Sequence, residues 1–118
     1  MSKCLSWSDV VARVRHLLEA RGDPVSDALW GNLKDIVELA QAGVALPEVG
    51  IGYWPTATLV WPSLTLEIFE DRIEVYPPAP PGKAITVWGE PHTPGQAFSE
   101  AFKTAVLNAE GPIRDAIR

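Results

Sequence analysis

A chain of 118 residues that is 47 % apolar and 21 % charged has the size and composition of one globular domain, not of a disordered segment. Its net charge is −5, and between residues 51 and 90 Glu67, Glu70, Asp71, Glu74 and Glu90 face only Arg72 and Lys83. No basic stripe is available to displace phosphate counterions, so direct nucleic-acid binding is not expected.

A single cysteine, Cys4, and two histidines exclude an internal disulfide and the usual Cys/His zinc cluster, and predict a reducing compartment. The first residues lack a signal-peptide pattern, and no apolar run approaches the roughly 20 residues of a membrane span. The expected setting is therefore the cytoplasm of a bacterium or of a phage host, with no membrane association.

Ser6 or Ser8 is placed to cap a helix over residues 7–21, where Val10, Val11, Val14, Leu17 and Leu18 recur at steps of three and four. Gly22 ends it and Asp23-Pro24 turns the chain. Ser26 opens a second helix with Leu29, Trp30, Leu33, Ile36, Val37 and Ala40 on its apolar face, stopped by Gly43. The two form a helical hairpin. Residues 44–55, VALPEVGIGYWP, have two prolines, two glycines and no period, and read as a loop anchored by Tyr53 and Trp54.

Strands are predicted at 57–61, 64–69, 73–76 and 84–88, joined by Pro62-Ser63, by Glu70-Asp71-Arg72 and by the proline-rich loop PPAPPG. Such short connections favour an antiparallel meander. Thr93-Pro94-Gly95-Gln96 reads as a capping box opening a third helix, with Ala97, Phe98, Ala101, Phe102, Ala105 and Val106 on one stripe, broken at Gly111-Pro112. The expectation is a single α+β domain over residues 1–118: a helical hairpin, a four-stranded antiparallel meander and a C-terminal helix, in the order ααββββα.

Period-two alternation divides the strands between two faces. Leu64, Leu66, Ile68, Ile73, Val75, Ile85 and Val87 are expected to face the helices, which leaves Thr65, Glu67, Phe69, Glu74, Tyr76, Thr86 and Trp88 on the other side. Aromatic side chains among carboxylates suit a protein-binding patch. Phe69, Tyr76, Trp88, Glu67 and Glu74 are accordingly the candidate partner-binding residues, joined by Glu70 and Asp71 as an acidic knob that would steer a basic partner such as a nucleic-acid-binding enzyme. The side on which Trp61 lies is left open by its parity, because a bulge at Pro62 would reverse it.

Chemistry has few candidates. Glu90-Pro91-His92-Thr93 puts a histidine beside a carboxylate just before the expected helix, but no Ser, Cys or Asp motif supplies a nucleophile. His16 lies at the polar edge of the first helix and Cys4 in the N-terminal stretch, neither with a partner in sequence. Gly50-Ile51-Gly52 lacks the lysine and hydroxyl of a phosphate loop, and Pro77–Pro81 reads as a stiff connection. No catalytic residue, metal or cofactor is assigned.

Two helices followed by LTLEIFEDRIEVY and a further strand resemble small stand-alone bacterial α+β proteins carrying an LEIEIFEDxIEVY-like strand pair, a family without an assigned activity. The resemblance covers about residues 28–90 and implies the fold only. The functional expectation is a non-enzymatic protein-binding module, such as an inhibitor, an immunity or antitoxin-type protein or a phage anti-defence protein. The alternatives are a small enzyme or ligand-binding protein using the Glu90-His92 loop, and a homo-oligomeric subunit, for instance a homodimer through the open sheet face.

Overall fold

A computed structural model of the chain describes residues 6–22, 26–41, 43–51, 56–77, 82 and 87–109. The apolar spacing of the N-terminal part becomes two helices, α1 (Trp7–Arg21) and α2 (Asp27–Ala40). Ser6, rather than Ser8, caps α1, its hydroxyl accepting from the Asp9 N–H at 3.1 Å, and Ser26 does the same for α2 through Leu29 at 3.1 Å. Their buried stripes, Val10, Val14 and Leu18 from α1 and Leu29, Leu33, Ile36 and Ala40 from α2, enter one core with the sheet.

Among the described residues the sheet has five strands, not four: β1 (Glu48–Ile51), β2 (Ala57–Trp61), β3 (Leu64–Ile68), β4 (Arg72–Tyr76) and β5 (Trp88–Pro91), in the order β1-β2-β3-β4-β5 with every neighbour antiparallel. The extra strand, β1, falls in the stretch whose glycines and prolines read as a loop. It is made by pairing with β2 rather than by its own propensity. Gly50 lies opposite Thr58, where a Cβ would come within 2.8 Å of the threonine hydroxyl, so the residue that weakens the strand signal is the one the close approach requires.

Ala57, Leu59, Trp61, Leu64, Leu66, Ile68, Ile73 and Val75 point into the core. Trp61 thus faces inward, 3 % exposed, with its indole N–H donating to the Ala45 carbonyl at 2.7 Å.

Two expectations at the C-terminal end are corrected. The last strand, β5, starts after Val87, which lies outside it, and runs on past the expected end at Trp88 to Pro91, pairing Val75 with Trp88 and Ile73 with Glu90. Cross-strand partners share a face, so Trp88 and Glu90 point to the core side, whereas Val87 is 46 % exposed. Alternation continued across the proline-rich loop had reversed this parity; Ala84, Ile85 and Thr86 lie outside the described residues.

The third helix, α3 (Glu100–Leu107), starts at the cap Ser99, not at Thr93. Thr93 to Gln96 is a turn, with the Gln96 N–H donating to the Thr93 carbonyl at 3.0 Å. Gly95 has φ +88°, which no helical residue adopts, and proline followed by such a glycine is the signature of a type II turn. Half of the expected box survives, because the Gln96 side chain accepts from the Thr93 N–H at 3.2 Å. Phe102 and Val106 carry α3 into the core, and Phe98 packs at its edge.

Candidate functional site

The sheet face turned away from the helices carries two rows of side chains. One runs Gly50, Thr58, Glu67, Glu74, Gly89 across all five strands, and the other Glu48, Val60, Thr65, Tyr76 across four. Along the first row Glu67 stands between Thr58 and Glu74, and Glu74 between Glu67 and Gly89.

Like charges placed directly opposite on a sheet repel, and here three groups hold them together. The Tyr76 hydroxyl donates to Glu74 Oε1 at 2.8 Å and lies 3.4 Å from Glu67 Oε1. The buried Thr56 hydroxyl donates to Glu67 Oε2 at 2.5 Å, and Arg72 Nε donates to Glu74 Oε2 at 3.1 Å. Its hydrogen bond to Glu74, then burial and the negative charge of both glutamates, push the Tyr76 phenol up to about 12. The Arg72 guanidinium is likewise raised, first by its hydrogen bond to Glu74.

At the end of this face lies the β3–β4 turn. Glu70 and Asp71 are exposed; Asp71 pairs with Arg72 at 2.9 Å, and the Arg72 guanidinium sits 3.9 Å from the centre of the Phe69 ring. The turn is fixed from behind by Asn32 of α2, fully buried, whose amide nitrogen donates to the carbonyls of Phe69 at 2.9 Å, Glu70 at 3.2 Å and His92 at 3.3 Å. Of the residues expected at the patch, Phe69, Tyr76, Glu67, Glu74, Glu70 and Asp71 are therefore contiguous. Trp88 is not among them: it packs edge-on against Phe102 on the core side, with ring centres 6.4 Å apart.

The Glu90–His92 pairing expected from the loop sequence is not formed. Glu90 is buried and accepts from both the N–H and the hydroxyl of Ser99 at 2.7 Å, tying β5 to the start of α3. His92 is 1 % exposed, stacks on Phe98 with ring centres 4.1 Å apart, and places Nε2 at 2.7 Å from Asp35 Oδ2 on α2. The same Asp35 oxygen accepts from the Gly95 N–H at 2.9 Å.

An open cleft of about 420 Å³ lies beside this cluster, lined by Asp35, Glu38, Leu39, Gly95, Gln96, Ala97 and Phe98. Among the described residues no serine, threonine or cysteine lines it. Among the described residues no group of three or more His, Cys, Asp or Glu side chains is arranged to hold a metal ion, and no helix is long and apolar enough to cross a membrane. His16 is exposed on α1, and Cys4, Tyr53, Trp54 and Pro78–Pro81 lie outside the described residues.

Three contributors escaped the sequence reading: Asn32, Asp35 and Thr56. Asn32 had a visible signal, since it stands three residues after Leu29 and four before Ile36, a polar side chain inside an apolar stripe. Asp35 and Thr56 sit at ordinary polar positions and acquire their roles only through long-range contacts. No family model, no curated protein and no solved structure matches the chain.

Proposed function

We propose that this protein is a non-enzymatic binding module that engages a basic protein partner through the outer sheet face and the β3–β4 turn. The observation that carries the reading is the Glu67–Glu74 pair, two carboxylates held side by side by Tyr76, Thr56 and Arg72 on a sheet face that no described helix covers. Side chains fixed in this way lose little freedom on binding, which favours tight association.

Four carboxylates, Glu67, Glu70, Asp71 and Glu74, stand against the single guanidinium of Arg72, in a chain of net charge −5. That balance favours a cationic partner and disfavours a second copy of the same face. An inhibitor or immunity-type protein occupying the basic, nucleic-acid-binding surface of an enzyme in the cytoplasm is the role that fits this chemistry.

Catalysis has less support. His92 is enclosed between Phe98 and α2, and its carboxylate partner Asp35 is already committed to Gly95. The test of the docking reading is kinetic. Charge reversal at Glu70 and Asp71 should slow association with a basic partner, most at low salt, and leave dissociation nearly unchanged. An association rate insensitive to both reversals would refute it.

A further inference from the structure

We propose that the edge of β5 pairs with the same edge of a second copy of the chain, antiparallel about a two-fold axis at Gly89, joining the two sheets into one. The inference is independent of the docking reading above and leaves the acidic face open in both copies.

The hydrogen-bond phase of the ladder determines what this edge offers. The Phe69 N–H donates to the Arg72 carbonyl at 2.9 Å, and the His92 N–H to the Asp71 carbonyl at 3.1 Å. Bonding residues alternate along an antiparallel strand, so Arg72, Glu74 and Tyr76 bond toward β3, and Asp71, Ile73 and Val75 toward β5. The backbone groups of Trp88, Glu90 and His92 are thereby used inside the sheet. Those of Gly89 and Pro91 point away from β4, Val87 continues their phase, and all three residues are exposed. Among the described residues no strand lies beyond them.

This edge is complementary to itself. About a two-fold axis at Gly89 the two glycines exchange both of their hydrogen bonds, with no side chains to hold the strands apart. Each Val87 N–H then meets the carbonyl of Pro91 in the other copy, so proline is asked only to accept. The Val87 carbonyls, at the rim, are left to water. On the outer face each Glu74 stands three strand spacings from its counterpart, roughly 14 Å, which is beyond the Debye length at physiological salt.

The exposed apolar surface points to the same end of the molecule. Val87 and Leu107 are the two exposed large apolar side chains among the described residues. Val87 adjoins β5 and would lie beside Pro91 of the second copy. Leu107 belongs to α3, which packs on β5 through Phe102 against Trp88 and through Ser99 on Glu90.

The test is sedimentation equilibrium of the whole chain over a concentration series, with amide hydrogen exchange on the same samples. The mass should rise from 12.8 kDa toward twice that value, and exchange at Gly89 should slow in step. Gly89→Pro removes an N–H that faces away from β4, at a glycine without positive φ, and should leave the chain folded and monomeric. Val87→Lys, outside the ladder, should weaken the dimer at least about tenfold and serves if Gly89→Pro is unstable. Pro91→Ala gives the Val87 carbonyl of the other copy a donor and should tighten the dimer about fivefold.

A chain that stays at 12.8 kDa throughout would overturn the proposal, as would a dimer that survives both Gly89→Pro and Val87→Lys. A dimer in which Gly89 exchanges as fast as in the monomer, or which Pro91→Ala weakens, would overturn the pairing about Gly89. None of these results bears on the docking reading, which association with a basic partner tests separately.

Discussion

The hydroxyl of Tyr76 donates to Glu74 at 2.8 Å and lies 3.4 Å from Glu67, so one phenol proton stands between two carboxylates that would otherwise repel across the β3–β4 ladder. The outer face is thereby both acidic and ordered.

This relationship has an alkaline signature. The Tyr76 phenol is raised from 10.0 to about 12, so the folded state holds its proton more firmly than the unfolded chain. The resulting stabilisation is fully present below pH 10 and is lost as pH rises through about 12. Tyrosinate absorbance should show one step centred near pH 12 that disappears in Tyr76→Phe; a Tyr76 step near pH 10 would contradict the hydrogen bonding described.

Asn32 is the tie between the helical layer and the acidic turn. Asn32→Ala should destabilise the fold by about 1–3 kcal/mol, because it leaves the buried His92 carbonyl and the part-buried carbonyls of Phe69 and Glu70 without this donor. Asn32→Asp should be worse, since it sets a carboxylate against the carbonyls of Phe69, Glu70 and His92. Urea unfolding of the two variants checks the order, and a neutral Asn32→Ala would show that the turn is held by other means.

Gly31 on α2 faces Pro94, where an added Cβ would come within 2.5 Å of the proline ring, whereas Gly43 has nothing within 4 Å. Gly31→Ala should lower stability by about 1–3 kcal/mol through overpacking, in spite of the better helix propensity of alanine. Gly43→Ala should change the unfolding midpoint little. If both variants are equally stable, the 93–95 turn does not dock on α2 as described.

The boundary of α3 separates two threonine and serine candidates. Ser99 accepts from the Phe102 N–H at 3.1 Å and gives both its own N–H and its hydroxyl to buried Glu90. Ser99→Ala should therefore cost at least the ~0.5–2 kcal/mol of a lost cap, and Thr93→Ala only a few tenths. Thermal unfolding that ranks them the other way would return the helix start to Thr93.

Much of the fold was legible because the hydrophobic periods are clean. Leu64, Leu66 and Ile68 alternate with Thr65 and Glu67, and Ile73 and Val75 with Glu74, so the facing of these two strands followed from the residues themselves. The same rule failed at Trp88, since a proline-rich connection lies between it and β4 and parity does not carry across a loop of unknown path. β1 was hidden by Gly50, whose lack of a side chain answers to Thr58 on the next strand. The acidic part of the site could be read from Glu67 and Glu74; what fixes it, Thr56 beside Glu67 and Asn32 beneath the turn, depends on contacts 11 and 37 residues apart in sequence.

The most direct test of the account is to map, by backbone amide chemical shifts, where an acetylated, amidated octapeptide of alternating arginine and threonine binds the intact chain. The account predicts saturable shifts centred on Thr65, Glu67, Glu74 and Tyr76, extending to Glu70 and Asp71, with none for an aspartate–threonine peptide of equal length. Shifts centred instead on the cleft lined by Asp35, Glu38 and Phe98, or the absence of saturable shifts anywhere, would contradict it.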